Sequence, residues 1–137
     1  KNKITFINDS KATSFESTKH ALKNNKNIYW IFGGLPKIGD KFNFKGLRSN
    51  IIKSFIIGKK ISYFEKQVKN KIKYKMSFNL NNAVKDVFKE LLLFKNNKAT
   101  VLLSPASASY DQFKNFIDRG NQFKKATKAH AKKFLSR

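Results

Sequence analysis

The sequence of 137 residues predicts an α/β fold, a Rossmann-like three-layer sandwich with a mostly parallel sheet of about five to six strands. Segments rich in β-branched and aromatic residues alternate with segments whose apolar residues recur at helical spacing. The connections between them are short, which favours right-handed crossovers between parallel strands. Residues 27–32 are almost wholly apolar, as a central parallel strand covered on both faces should be.

The first strand and the first helix occupy the start of the chain. Residues 3–7 are rich in β-branched and aromatic side chains, and the polar residues 8–10 end this strand. Thr13 and Glu16 have the spacing of a capping box, in which the Thr13 hydroxyl accepts a hydrogen bond from the backbone N–H of Glu16. This box predicts a helix that continues to about residue 23.

The middle of the chain, after the glycine pair that ends the second strand, is less regular. Residues 35–50 indicate one short helix, around residues 44–49. Residues 51–57 form the next predicted strand, and residues 61–68 have apolar positions at helical spacing. Residues 72–76 alternate apolar side chains with lysine, which is typical of a half-exposed strand near an edge of the sheet.

The last third of the chain carries the clearest amphipathic helix, predicted over residues 80–94. Residues 99–103 form the last predicted strand, and residues 104–109 form a loop of small side chains after it. Because these side chains have little bulk, the backbone of the loop could approach a ligand closely and offer its N–H groups. Soon after the loop we expect a helix with Phe113 and Phe116 on one face.

A chain of this length is one domain, long enough for a real core and too short for two. A C-terminal helix over residues 121–135, laid on the sheet, completes the predicted fold. The first residue is Lys1, which lies almost directly before the first strand. We therefore expect this chain to be a piece of a longer protein.

The absence of cysteine excludes a disulfide framework and thiolate metal sites, and it agrees with a cytoplasmic location. The longest apolar runs are far shorter than the ~20 residues that cross a bilayer, and no signal-peptide pattern opens the chain. His20 and His130 have no second histidine or carboxylate at ligand spacing, so no metal site is expected.

The formal net charge of +22, from 30 basic and 8 acidic residues, raises the possibility of a nucleic-acid-binding domain. Two observations weaken this alternative. Arginine, whose bidentate fork suits phosphates and base edges, occurs only at Arg48, Arg119 and Arg137. The lysines are spread over the whole chain, which favours a solvated coat with weak, salt-sensitive binding to polyanions. We therefore expect no specific nucleic-acid partner. We also expect no membrane partner, and a monomer.

Three predicted strand ends open on the same edge of such a sheet, where ligands bind in open α/β folds. They are the segments at residues 8–13, 33–37 and 104–109. Together they offer two lysines, an aspartate, several hydroxyls and helix N-termini, which suit a phosphate group or a small dianion. Each segment alone is weak evidence, because Lys11 and Lys37 could belong to the lysine coat and Asp9 could cap a turn, but the convergence of all three favours a site. No Gly-x-x-x-x-Gly-Lys-Ser/Thr loop occurs, so the main nucleotide phosphate cradle is not in this chain.

The same segments carry a more specific signal. They read Asn-Asp-Ser-Lys-Ala-Thr at residues 8–13, Gly-Gly at residues 33–34 followed by Lys37, and Ser-Pro-Ala-Ser-Ala-Ser-Tyr-Asp-Gln-Phe at residues 104–113 followed by Arg119 and Gly120. In this order and spacing the chain resembles the Mur ligase family of peptidoglycan precursor synthesis, and most closely its members that add D-glutamate. The resemblance covers nearly the whole chain.

This resemblance implies that the chain is the third, C-terminal domain of a three-domain ligase. The N-terminal domain of the family holds the uridine nucleotide and the central domain carries the ATP phosphate loop. With ATP and Mg²⁺, bound mainly by that central domain, the ligase would activate the carboxylate of UDP-N-acetylmuramoyl-L-alanine as an acyl phosphate. The amine of D-glutamate would then attack it. No catalytic residue is expected in this domain alone, which should be inactive in isolation.

The resemblance also implies which residues bind D-glutamate. Thr13 and Lys37 would hold its α-carboxylate, and Ser109 with the backbone of Phe116 would hold its side-chain carboxylate. Tyr110 would lie at the edge of this site. Such donors suit the ligand, because a short dianion that leaves water needs charge-assisted hydrogen bonds in return.

A nucleotide subsite is implied beside it. Asp9 would contact the ribose and Lys11 would face the terminal phosphate, with Asn8 and Ser10 next to them. None of these residues is a general base for the reaction, so the contribution of the domain would be mainly to position the reacting groups.

Overall fold

Five parallel strands form a single sheet in the order β1-β5-β2-β3-β4, with four α-helices between and after them. The computed structural model describes residues 3–93, 98–109 and 111–135, with the backbone alone for residues 134 and 135. The elements are β1 (Lys3–Asn8), α1 (Phe15–Asn24), β2 (Ile28–Gly33), a short 3₁₀-helix (Arg48–Asn50), β3 (Ile51–Ile57), α2 (Ile61–Val68), β4 (Tyr74–Phe78), α3 (Leu80–Leu91), β5 (Lys98–Leu103) and α4 (Phe116–Leu135).

Two hydrophobic clusters lie on opposite faces of the sheet and make it a three-layer sandwich. Alternate side chains of a strand point to opposite faces, so in β2 Trp30 and Phe32 join one cluster while Tyr29 and Ile31 join the other. Helices α1 and α2 cover the first cluster, and α3 and α4 cover the second. Every residue of β2 is buried, which confirms the central strand inferred from its composition.

The edge strands follow the polarity of the sequence. β1 and β4 are the outer strands of the sheet, and most of their residues are exposed. The prediction of an edge strand around residues 72–76 is therefore right in kind, but β4 begins and ends two residues later. Ile72 lies in a turn after α2 and is buried in the first cluster, so its apolar side chain belongs to helix packing and not to the strand.

Helix α1 is capped one residue later than the capping-box spacing indicated. Ser14, and not Thr13, is the N-cap, and its hydroxyl accepts a hydrogen bond from the backbone N–H of Ser17 at 3.2 Å. This register buries Phe15 and Leu22 against the sheet, and burial of such side chains outweighs the difference between two hydroxyl caps.

The C-terminal part of the chain also differs from its prediction. Phe113 and Phe116 do not share a helical face, because Phe113 lies in a turn bonded to the Ser109 carbonyl and α4 begins only at Phe116. From there α4 runs unbroken for 20 residues, although the sequence suggested a start at residue 121. The short helix expected around residues 44–49 is a 3₁₀ turn instead.

Helix α3 matches its predicted start but ends at Leu91, earlier than predicted, because residues 92 and 93 form a turn; residue 94 lies outside the described residues. In the ranges that the structure describes, no helix combines the length and the apolar character that a membrane span requires.

Candidate functional site

The loops after β1, β5 and β2 meet at the carboxyl edge of the sheet, as the sequence predicted. These strands are neighbours in the order β1-β5-β2 and all run parallel, so their loops leave the sheet side by side. The loop after β5 lies between the other two. This edge is where ligands bind in open α/β sheets.

The loops after β2 and β5 are joined through their backbones. Leu35 and Ala108 exchange two hydrogen bonds, of 2.9 and 3.1 Å, and the Gly33 N–H donates to the Pro105 carbonyl at 3.0 Å. Gly34 has a φ of +138°, and a Cβ there would lie 2.4 Å from the Ala108 carbonyl oxygen. The glycine is needed because only a residue without a side chain allows this approach.

The loop after β1 is attached to the same central loop. The Asp9 N–H donates to the Leu103 carbonyl at 2.7 Å, which extends the pairing of β1 with β5 by one residue. The Ser104 hydroxyl donates to Asp9 Oδ2, also at 2.7 Å. One oxygen of the Asp9 carboxylate is therefore already used within the protein, and its other oxygen can accept a further hydrogen bond.

A buried arginine, Arg119, connects the loop after β1 and the loop after β5 with α4. The Arg119 guanidinium has no solvent exposure and donates to the Ser10 hydroxyl and the Ser107 carbonyl, both at 3.0 Å, and to the Ser10 carbonyl. Burial lowers the pKa of Arg119 to about 10, while the nearby Asp111 carboxylate raises it. The group remains charged at neutral pH, so these hydrogen bonds are charge-assisted.

Sequence reasoning gave Arg119 no role in the site. One signal could have identified it: an arginine at the start of a helix, in a chain whose other cations are almost all lysine. Only a guanidinium can donate to several oxygens in a fixed plane. An arginine near the start of a helix in such a composition is therefore a candidate for a multiple, directed contact, whereas Arg48 donates to one carbonyl.

Asp111 lies beside the same loops. Its Oδ2 accepts from the Lys59 N–H at 3.0 Å, which attaches the segment before α4 to the end of β3. Its Oδ1 is buried and has no hydrogen-bond partner within the described ranges. The carboxylate interacts electrostatically with the Arg119 guanidinium, and this attraction favours the charged form of the buried arginine.

Four of the predicted D-glutamate residues, Thr13, Lys37, Ser109 and Phe116, lie on this edge at different depths. Thr13 and Lys37 are exposed, whereas Ser109 is 3% exposed. Phe116 begins α4, and its carbonyl accepts from the Ser10 hydroxyl at 2.7 Å. Within the described ranges its N–H has no acceptor, as is usual in the first turn of a helix. Tyr110 lies outside the described residues.

Three of the four predicted nucleotide residues, Asn8, Ser10 and Lys11, line an open cavity of about 250 Å³, whereas Asp9 is not part of its lining. Its lining consists of Asn8, Ser10, Lys11, Phe116, Ile117, Gly120, Asn121 and Lys124. The cavity unites Lys11 with Phe116, which the resemblance had given to two different ligands. With two lysines and no carboxylate in this lining, the residues fit a phosphate group. A whole nucleotide would need a larger pocket.

Metal binding finds no support in the described ranges, where no group of three or more His, Cys, Asp or Glu side chains could hold an ion. Lysines occur on all four α-helices, and none of the described lysines is buried. This distribution agrees with a solvated lysine coat.

The sheet and its loop-lined edge define a Rossmann-like α/β domain with the candidate site at the carboxyl ends of parallel strands. No protein-family model matches the chain. It is nevertheless homologous, over about nine tenths of its length, to part of the UDP-N-acetylmuramoylalanine–D-glutamate ligases, so the resemblance to Mur ligases is confirmed.

Three relatives illustrate this similarity. The ligase of Wolbachia sp. subsp. Brugia malayi is 42% identical over 120 residues, which are 88% of this chain and 24% of the relative. Those of Rickettsia felis and Mesorhizobium japonicum are each 39% identical over 129 residues, or 94% of this chain, and the match covers 29% and 28% of them. The chain thus spans about a quarter of the length of the curated relatives it matches.

Proposed function

We propose that this chain is the C-terminal, D-glutamate-binding domain of the ATP-dependent ligase that joins D-glutamate to UDP-N-acetylmuramoyl-L-alanine in peptidoglycan precursor synthesis. The names of the relatives state a D-glutamate ligase activity. One observation supports the assignment to this domain above all others: hydrogen bonds join the three loops that bear Thr13, Lys37 and Ser109. N-terminal and central domains would complete the enzyme.

The α-carboxylate of D-glutamate would bind between Thr13 and Lys37. Both residues are exposed on the carboxyl edge, and the segments that carry them are attached to each other at Phe15 and Asp40. A lysine ammonium and a hydroxyl supply charge-assisted and neutral donors to the two oxygens.

The side-chain carboxylate would bind at Ser109 and the Phe116 N–H. The N–H belongs to the first turn of α4, where the partial positive charge of the helix favours an anion. Because Ser109 is nearly buried, a ligand could reach only a small part of its surface, which favours a short carboxylate at this point. Tyr110 would border the same subsite.

ATP would supply the phosphoryl group that activates the acceptor carboxylate. In this domain Lys11 would face the terminal phosphate and the free oxygen of Asp9 would accept from a ribose hydroxyl, with Asn8 and Ser10 beside them. Mg²⁺ would be held mainly outside this chain. The residues of the chain would bind and orient D-glutamate near the phosphate, a contribution of positioning rather than of proton transfer.

Substitution of Lys37 tests the proposal. In the full-length ligase, Lys37→Ala should raise the KM for D-glutamate about 30-fold, because loss of a charge-assisted contact costs about 2 kcal/mol. The KM for UDP-N-acetylmuramoyl-L-alanine should stay within about twofold of that of the wild type. Steady-state kinetics with each substrate varied in turn measure both constants.

The control is Lys45→Ala, which removes another exposed lysine of the same irregular segment. It should leave every kinetic constant unchanged. If Lys37→Ala binds D-glutamate as well as the wild type does, the proposed site is wrong.

A further inference from the structure

The turn that carries Lys37 has few contacts of its own. Lys37 is exposed, Ile38 is 99% exposed, and Gly39 has a φ of +81° with nothing within 4 Å of the position of an added Cβ. A lysine on such a turn would sample many positions. Its position relative to Thr13 must therefore be fixed by a residue that follows the exposed apex.

Asp40 is that residue, because it makes hydrogen bonds in three directions. Its N–H donates to the Lys37 carbonyl at 3.0 Å and closes the turn. Its Oδ2 accepts from the Phe15 N–H at 2.8 Å, and its carbonyl accepts from the Tyr63 hydroxyl at 3.0 Å and from Gln67 Nε2 at 3.1 Å. The turn is thereby attached to both helices of one face of the sheet.

The contact with Phe15 is the one that matters for the site. Phe15 is the first residue of α1, directly after the N-cap Ser14 and two residues after Thr13. A carboxylate at this point satisfies a free N–H and also interacts favourably with the positive end of the helix. Residues 13 and 37, far apart in the sequence, are thus linked through a single side chain.

Aromatic packing supports the same attachment between the Lys37 turn and α1. The Phe15 ring stacks on the Phe42 ring with centroids 4.6 Å apart, and Gln67 Oε1 accepts from the Phe42 N–H at 3.1 Å. Because Phe42 is only two residues beyond Asp40 and is buried, the segment that leaves the turn cannot shift relative to α1.

We infer that Asp40 is a positioning residue of the D-glutamate site, which holds the Lys37 turn against the N-terminus of α1 so that Thr13 and Lys37 bind one carboxylate together. The inference rests on the proposed function and adds to it a residue that does not itself contact the ligand. The Asp40 side chain acts as a hydrogen-bond acceptor, so an asparagine amide should take over this role in part.

The test is steady-state kinetics of the full-length ligase. Asp40→Ala should raise the KM for D-glutamate about tenfold, the factor to which about 1.4 kcal/mol corresponds, with kcat and the KM for UDP-N-acetylmuramoyl-L-alanine within about twofold of wild type. Asp40→Asn, whose amide oxygen can still accept from the Phe15 N–H, should restore the KM to within about threefold.

The matched control is Asp86→Ala. Asp86 also accepts hydrogen bonds from two partners, Lys75 Nζ at 3.1 Å and the Ser77 hydroxyl at 2.8 Å, but α3 carries it on the other face of the sheet. Its loss should lower stability without changing the KM for D-glutamate. An equal rise in Asp86→Ala would mean that general destabilisation explains the effect and would overturn the inference.

Two further outcomes are decisive. The positioning role is overturned if Asp40→Ala leaves the KM for D-glutamate unchanged, or if Asp40→Asn raises that KM as much as Asp40→Ala does. In either case a raised KM in Lys37→Ala leaves the proposed function standing. A normal KM in Lys37→Ala overturns both. Should Asp40→Ala fail to fold, Tyr63→Phe loosens the same attachment and should raise the KM about threefold; no rise there contradicts the inference.

Discussion

Replacing Arg119 by alanine is expected to lower the free energy of unfolding by about 3 kcal/mol. The substitution leaves a cavity in the interior and removes the donor from the carbonyls of Ser10 and Ser107 and from the Ser10 hydroxyl. Burial of the guanidinium disfavours its charge, but that cost is offset by hydrogen bonds on several of its N–H groups. Alanine recovers the desolvation cost and leaves the buried acceptors unpaired.

Thermal or urea unfolding of the chain measures this effect. The matched control is Arg48→Ala, because Arg48 is exposed and, among the described residues, donates to the Lys71 carbonyl alone, at 2.8 Å. It should cost less than about 1 kcal/mol. Arg119→Lys keeps the charge but cannot donate to oxygens on several sides at once, and should lie between the two. Equal losses in Arg48→Ala and Arg119→Ala would show that the buried contacts add no stability.

The parts of the fold that were predicted correctly depend on residue type alone. The apolar composition of β2 indicated a central strand, and the lysine alternation before Met76 indicated an edge strand, because each pattern reflects whether a strand face meets water. The meeting of three loops at one edge followed from the parallel order of strands. These features need no knowledge of particular contacts.

The errors arose where two residues of similar type compete for one position. Thr13 and Ser14 can both cap a helix, and the choice depends on whether Phe15 points into the core, which is a tertiary property. Ile72 suits a strand or a turn equally well, and packing against α2 decided the matter. Local sequence does not contain the information that separates such alternatives.

The residues that organise the candidate site were missed for a different reason. Arg119 and Asp40 act almost entirely on backbone groups: the carbonyls of Ser10 and Ser107, and the N–H of Phe15. Every residue except proline carries both a backbone N–H and a backbone carbonyl. The residue type of the partner therefore does not reveal these contacts in the sequence. The residues proposed to contact the ligands, by contrast, lie in recognisable motifs.

The second large effect is expected at the glycine that lets the two central loops touch. Gly34→Ala should lower the free energy of unfolding by about 4 kcal/mol, the sum of backbone strain and lost hydrogen bonds. Its Cβ would lie 2.4 Å from the Ala108 carbonyl oxygen and 2.7 Å from Ser107 Oγ, and its φ of +138° is a conformation that alanine rarely adopts. The paired hydrogen bonds of Leu35 and Ala108 would have to open.

Gly46→Ala is the matched control. Gly46 also has a positive φ, of +77°, but nothing lies within 4 Å of the position of an added Cβ. It should therefore cost only the strain of a left-handed backbone, about 1 kcal/mol. The difference between the two variants in unfolding experiments, about 3 kcal/mol, then contains the contribution of the loop contact together with the additional backbone strain at Gly34. Because the Leu35–Ala108 contact joins the loop that carries Lys37 to the loop that carries Ser109, Gly34→Ala in the full-length ligase should weaken D-glutamate binding, whereas Gly46→Ala should not. Equal stability of the two variants would mean that the loops can separate freely, and the joined edge on which the proposed site depends would then be lost.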